Sequence, residues 1–114
     1  MVSIAKVQQG LTKFIDREVI PGLSVSERIL VGTGAGLLAN KIPALLQTYA
    51  DHPLLKTMDV LDLQNGMVDI KAVYDAAQPY IGADPIPVTI PIVEITLKLG
   101  KREIDTLYKY IMEV

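Results

Sequence analysis

Apolar residues recur at Ile4, Val7, Leu11, Phe14 and Ile15, three or four positions apart, with Gln8, Lys13 and Arg17 at other positions. That spacing predicts a first helix with one buried stripe. Ser3 stands where an N-cap belongs. Pro21-Gly22 should end the run, because proline disfavours helical geometry in the residue before it and glycine readily terminates helices. Ser24 with Glu27 three positions later is a capping-box signature. A second helix therefore starts there and carries the stretch RILVGTGAGLLANKI, Arg28 to Ile42. Pro43 has no amide donor, which places an end or kink near Asn40 and a short third helix over Ala44 to Tyr49.

Asp51-His52-Pro53 is the next break. Leu54, Leu55, Met58 and Leu61 have the spacing of a fourth short helix, and Gln64-Asn65-Gly66 has the composition of a turn. Asp69 can cap a fifth helix carrying Ile70, Val73, Tyr74 and Ala77. The pattern then changes. IPVTIPIVEITLKLG, Ile86 to Gly100, is rich in β-branched residues and alternates from Glu94 to Leu99. It predicts two short strands joined near Pro91 to Val93, with Pro87 and Pro91 marking an exposed edge. A last helix over Arg102 to Met112 presents Ile104, Leu107, Tyr108 and Ile111 on one side.

The expected fold is helix-dominated α+β: about five or six mostly short helices, with a small C-terminal β-hairpin followed by a final helix. A hairpin this short needs a helix to pack on or a neighbour's sheet to extend. DIKAVY (Asp69 to Tyr74) and EIDTLY (Glu103 to Tyr108) share an acid, an Ile and a Tyr at matching positions. Each sits at a helix start after an extended segment, which fits either a duplicated unit or shared capping chemistry.

Composition narrows the picture. The 114 residues offer no Ser/Gly/Pro-rich run or charge block as a boundary, so residues 1–114 read as one domain. Five Tyr, one Phe and no Trp leave the core to Leu, Ile, Val and Ala. A formal net charge of -2, with Lys and Arg scattered, gives no footprint for a phosphate backbone, and no nucleic-acid partner is expected. The lack of Cys rules out disulfides, thiolate nucleophiles and thiolate-bound metal. No basic-then-apolar leader is evident, which points to the cytoplasm or to something assembled there.

The glycine-rich stretch admits three readings. As a phosphate-binding loop it fails on spacing. Gly32, Gly34 and Gly36 give G-x-G-x-G, Leu37 stands where the third Gly of G-x-G-x-x-G belongs, and no G-K-[ST] follows. As a spanning segment it fails on length: the twelve residues between Arg28 and Lys41 make about 18 Å of helix, against a hydrocarbon core of about 30 Å. A surface-lying or oligomeric insertion stays open. The third reading is a helix face where Gly32, Gly36 and Asn40 let another backbone come close, from the first helix or from a second copy. Each glycine costs roughly 0.8 to 1 kcal/mol of helix propensity, which such contact would offset.

No catalytic constellation emerges. LDLQNGMVDIKA resembles the second half of a calcium loop, but Leu61, Leu63 and Ala72 fall where the first, third and twelfth ligands belong. It reads as a helix-turn-helix connection without an ion. His52 is the only histidine and lies in a linker, where it makes neither a usual zinc site nor a triad. The carboxylate pairs Asp59/Asp62 and Asp16/Glu18 read as solvated helix faces. No enzyme activity and no cofactor or metal are expected. Tyr108 and Tyr110 point to different sides of the last helix, one packed and one exposed, and the exposed one beside Lys109 is a candidate partner contact. The alternative is a partly buried Tyr with its hydroxyl at the surface.

Three stretches carry a resemblance beyond the glycine-rich helix: GLTKFIDREVIPGL (Gly10 to Leu23), HPLLKTMDVLDLQNGMVDIKAVYDA (His52 to Ala76) and IPIVEITLKLGKREIDTLYKYI (Ile90 to Ile111). In their order the chain resembles small uncharacterised proteins encoded in phages and prophages of Gram-positive bacteria. Similar proteins carry a polar cap before the last helix, where this chain has Leu99-Gly100-Lys101, so the start of that helix departs from the pattern. The resemblance brings no catalytic residues. It implies a phage-encoded protein, either a minor component or assembly factor of the virion or a small factor acting on the host. The expected mode of action is self-association or binding of a virion protein through the Gly-rich helix or the Tyr-bearing last helix, in the virion or the host cytoplasm. The alternatives are a soluble modulator of a host or anti-phage protein, and a membrane-associated protein using the Gly-rich helix.

Overall fold

The computed structural model describes residues 1–53, 55–81 and 84–114. Its elements run β1 (Val2–Ser3), α1 (Ile4–Phe14), α2 (Val25–Asn40), α3 (Ile42–Ala50), β2 (Leu61–Asp62), β3 (Met67–Val68), α4 (Ile70–Ala77), β4 (Ile86–Ile90), β5 (Ile95–Leu99) and α5 (Lys101–Glu113). This is the helix-dominated α+β fold expected, with five α-helices among the described residues and a C-terminal hairpin followed by a final helix.

Local chemistry sets the helix starts. The Ser3 hydroxyl accepts from the Lys6 amide at 3.1 Å. Ser24 accepts from the Glu27 amide at 3.3 Å, and the Glu27 carboxylate accepts the Ser24 amide at 3.1 Å. Asp69 accepts from the Ala72 amide at 3.1 Å. At α5 the glycine departure is half compensated: Glu103 Oε2 accepts the Gly100 amide at 3.1 Å, and the helix begins at Lys101. The first helix does not stop at Phe14. It widens into a π-helical stretch, Ile15–Val19, and tightens into a 3-10 turn, Ile20–Gly22, before Leu23 goes extended.

The core is built around α1, whose four stripe residues are all buried, as is Ile15 at the start of the π-helical stretch. One cluster joins Leu11, Phe14 and Ile15 to Val31, Ala35 and Leu38 of α2 and Ile90 of β4. The other joins Ile4 and Val7 to Leu46 of α3, Val68 of β3 and Ile111 of α5. Gly10 sets how close α1 and α5 come, since a Cβ there would lie 2.7 Å from the Ile111 Cα. Gly34 does the same between α2 and the C-terminal hairpin: a Cβ would meet the Pro91 carbonyl oxygen and lie 2.7 Å from Ile90 Cγ2.

The C-terminal hairpin pairs Ile86 with Leu99 through Ile90 with Ile95, with a Thr89–Thr96 hydroxyl bond of 3.1 Å. Its loop is tight. The Val93 amide bonds to the Pro91 carbonyl at 3.0 Å across Ile92, whose φ is 76°. An i to i+2 bond around a positive φ is the rarer, strained γ-turn. Pro87 sits in the exposed part of β4, in line with the expected edge.

The expected fourth helix is corrected. Residue 54 lies outside the described residues. From Leu55 to Asp59 the chain makes turns, with Leu55 and Lys56 amides on the His52 carbonyl and the Met58 amide on Leu55. Asp59 then takes a φ of 48°, which breaks any helix. Leu61 instead begins β2, which pairs antiparallel with β3 around Gln64-Asn65-Gly66, Gly66 taking a φ of 64°. β1 pairs with the other side of β3, giving an unanticipated small sheet ordered β1-β3-β2. The connection before α4 is thus a β-hairpin and not helix-turn-helix.

Candidate functional site

At 3.6 residues per turn, α2 has two opposite faces. Val31, Gly34, Ala35 and Leu38 point inward and are buried. Val25, Ile29, Gly32, Gly36 and Asn40 point outward and are exposed. A soluble helix normally reserves its outer face for charge. Here apolar residues lie all round: Val25 is 77% and Ile29 71% exposed, with Leu30 and Leu37 also exposed beside them. No charged residue occurs from Ile29 to Asn40.

The glycines divide between these faces. Gly34, not singled out from the sequence, is the one used for close approach inside the fold. A Cβ at Gly32 or Gly36 would meet nothing within 4 Å among the described residues, and Asn40 is exposed. Of the two packings left open for Gly32, Gly36 and Asn40, the one against the first helix is not made, and these residues present an outward surface. The link from α2 to α1 runs elsewhere, with Gln8 Nε2 donating to the Ala39 carbonyl at 2.9 Å. The sequence signal for this surface was the charge-free dozen itself. It gave no phase, because both faces are apolar.

The tyrosines of α5 do point to different sides, but neither offers a free ring. Tyr108 stacks on Tyr74 of α4, with centroids 4.1 Å apart and planes 10° from parallel. The Tyr74 hydroxyl donates to Asp105, and the bond to that carboxylate raises the Tyr74 pKa above its ordinary value. The two echoed segments thus meet through their tyrosines, each following a hairpin. Tyr110 packs edge-on against Phe14 at 6.3 Å and donates to Glu18 at 2.9 Å, which raises its pKa. Lys13 and Arg17 each lie 5.8 Å from its ring centre. Both rings are half-buried, which fits the alternative of a partly buried tyrosine rather than one packed and one exposed ring.

The remaining polar groups serve turns. Asp62 accepts from the Asn65 amide at 3.2 Å and its side chain at 2.8 Å, bonds that lower the Asp62 pKa. Asp59 and Asp62 are not on a helix, so their reading as a helix face is corrected. Glu18 is held by Tyr110. His52 lies in the turn after α3. Among the described residues no three His, Asp or Glu side chains group as a metal site. No single helix there is long and apolar enough to cross a membrane; α2 and α3 reach that length and hydropathy only together, bent by 41°.

Comparison of the chain with protein-family models, with curated proteins and with solved structures found no match.

Proposed function

We propose that the protein is a non-enzymatic association module, a minor virion or assembly component of a phage, that pairs with a second copy of itself through the outer face of α2. The observation supporting this reading is the arrangement of bulk and space on that face. Val25 and Ile29 form a ridge at one end; Gly32 and Gly36 form a hollow followed by Asn40. Two such helices crossing antiparallel about an axis between Gly32 and Thr33 set Ile29 of each copy over Gly36 of the other, and Val25 over Asn40. A twofold interface must be self-complementary in this way. A parallel pair would stack ridge on ridge.

The magnitudes point to a reversible pair. Burying Val25 and Ile29 of two copies to the extent they are exposed is worth on the order of 4 to 9 kcal/mol gross. Association costs about 4 to 15 kcal/mol in lost freedom. The resemblance supplies the phage setting.

The chain has no Cys, so a single introduced cysteine tests the register directly. Thr33→Cys lies beside the axis and should cross-link with itself on mild oxidation, while Tyr80→Cys, 68% exposed outside α2, should not. Equal cross-linking of the two variants would defeat the proposal. So would flotation with neutral liposomes in place of cross-linking, which would give this face to lipid instead.

A further inference from the structure

The second surface is the free edge of β5. One side of this strand pairs with β4. Among the described residues, none of its backbone groups bonds outside that ladder. A groove of about 330 Å³ touches Leu97, Lys98 and Leu99 in succession and no residue of β4. Successive side chains of a strand point to opposite faces, so a groove touching three in a row lies along the strand's edge. Its far wall comes from the π-helical stretch and from α5.

The charges around this groove are unevenly committed. Glu18 already holds the Tyr110 hydroxyl, and Glu103 the Gly100 amide. The side chains of Lys98 and Arg102 make no hydrogen bond or ion pair among the described residues. Between them the half-buried Val19, Leu97 and Leu99 supply apolar surface, over the buried Phe14. The opposite edge of the hairpin is blunted by Pro87, which has no amide to donate. β5 contains no proline.

We propose that the free edge of β5 is a docking site for an extended segment of a partner protein that alternates acidic and apolar residues, added to the hairpin as a third strand. Main-chain bonds to β5 supply the attachment, as in other strand-addition complexes. Carboxylates of the segment reach Arg102 and Lys98, where charge-assisted bonds set the preference for acid. The apolar residues rest on the half-buried Val19, Leu97 and Leu99. This site is distinct from α2 and stands or falls independently of self-pairing.

The test is a titration of isotope-labelled protein with a capped six-residue peptide alternating valine and glutamate, against the same peptide with lysine for glutamate. The acidic peptide should shift the β5 amides and slow their exchange with solvent, saturating by millimolar concentration. The lysine peptide should bind roughly tenfold more weakly or worse, as expected for like charge. In the variant carrying Lys98→Glu and Arg102→Glu, both at exposed positions, the preference should reverse. Three results overturn the proposal: no shift of β5 amides by either peptide, equal binding of the two, or shifts confined to another surface such as α2. The two wild-type titrations decide the matter whether or not the variant folds.

Discussion

Gly34 and Gly36 sit two positions apart in α2 and answer to opposite demands. Gly34→Ala drives a Cβ into the Pro91 carbonyl and Ile90, and overpacking of that kind should cost about 1 to 3 kcal/mol, read as a lower denaturant midpoint. Gly36→Ala meets open space and should instead stabilise the isolated chain by up to about 1 kcal/mol through helix propensity. Ile92 offers a similar contrast. Its positive φ is costly for a β-branched side chain, so Ile92→Gly should raise stability by about 1 kcal/mol, in the same denaturation series. Tyr74 gives a pH signature. Its folded pKa is raised, so the Asp105 bond contributes fully below the ordinary tyrosine value of about 10 and is lost as pH rises through the folded value. An alkaline absorbance titration should show two late-ionising tyrosines, of which Tyr74→Phe removes one and leaves Tyr110. Caps such as Ser3, Ser24 and Asp69 were legible in the sequence because their partners lie three residues away. The ring contacts of Tyr74, Tyr108 and Tyr110 were not, because their partners lie on other helices.

Among the elements, α2 starts by its capping box and is positioned by the hairpin. Ser24→Ala should cost about 1 kcal/mol. The Glu27 pKa is lowered chiefly by the Ser24 hydroxyl, so its contribution is present above the ordinary glutamate value and fades as pH falls through the lowered one. The Ser24 variant should accordingly lose part of the wild type's acid sensitivity in thermal melts. Ile90, fully buried between β4, α1 and α2, anchors the hairpin, and Ile90→Ala should cost about 2 to 5 kcal/mol. The long periodic helices and the five-residue strands could be read from the sequence. β1, β2 and β3 could not, since two residues carry no period. The helix-like spacing of Leu55, Met58 and Leu61 arises from a turn and a strand, of which only Leu55 is buried and Met58 is exposed. Short apolar runs leave that ambiguity.

For the whole molecule, the fold class followed from where periodic segments gave way to alternation, and one α1-centred core accounts for it. Which side of α2 faces outward did not follow, because a helix apolar all round has no phase to read. That face is nonetheless the central functional claim. The most direct measurement is the solution mass by size-exclusion chromatography with light scattering, from micromolar to millimolar protein, for wild type and Ile29→Glu. The wild type should move from monomer to dimer as concentration rises, and Ile29→Glu, at an exposed position with no cost to the core, should stay monomeric with an unchanged melting temperature. A wild type that remains monomeric at millimolar concentration, or a dimer indifferent to Ile29→Glu, would contradict pairing through this face.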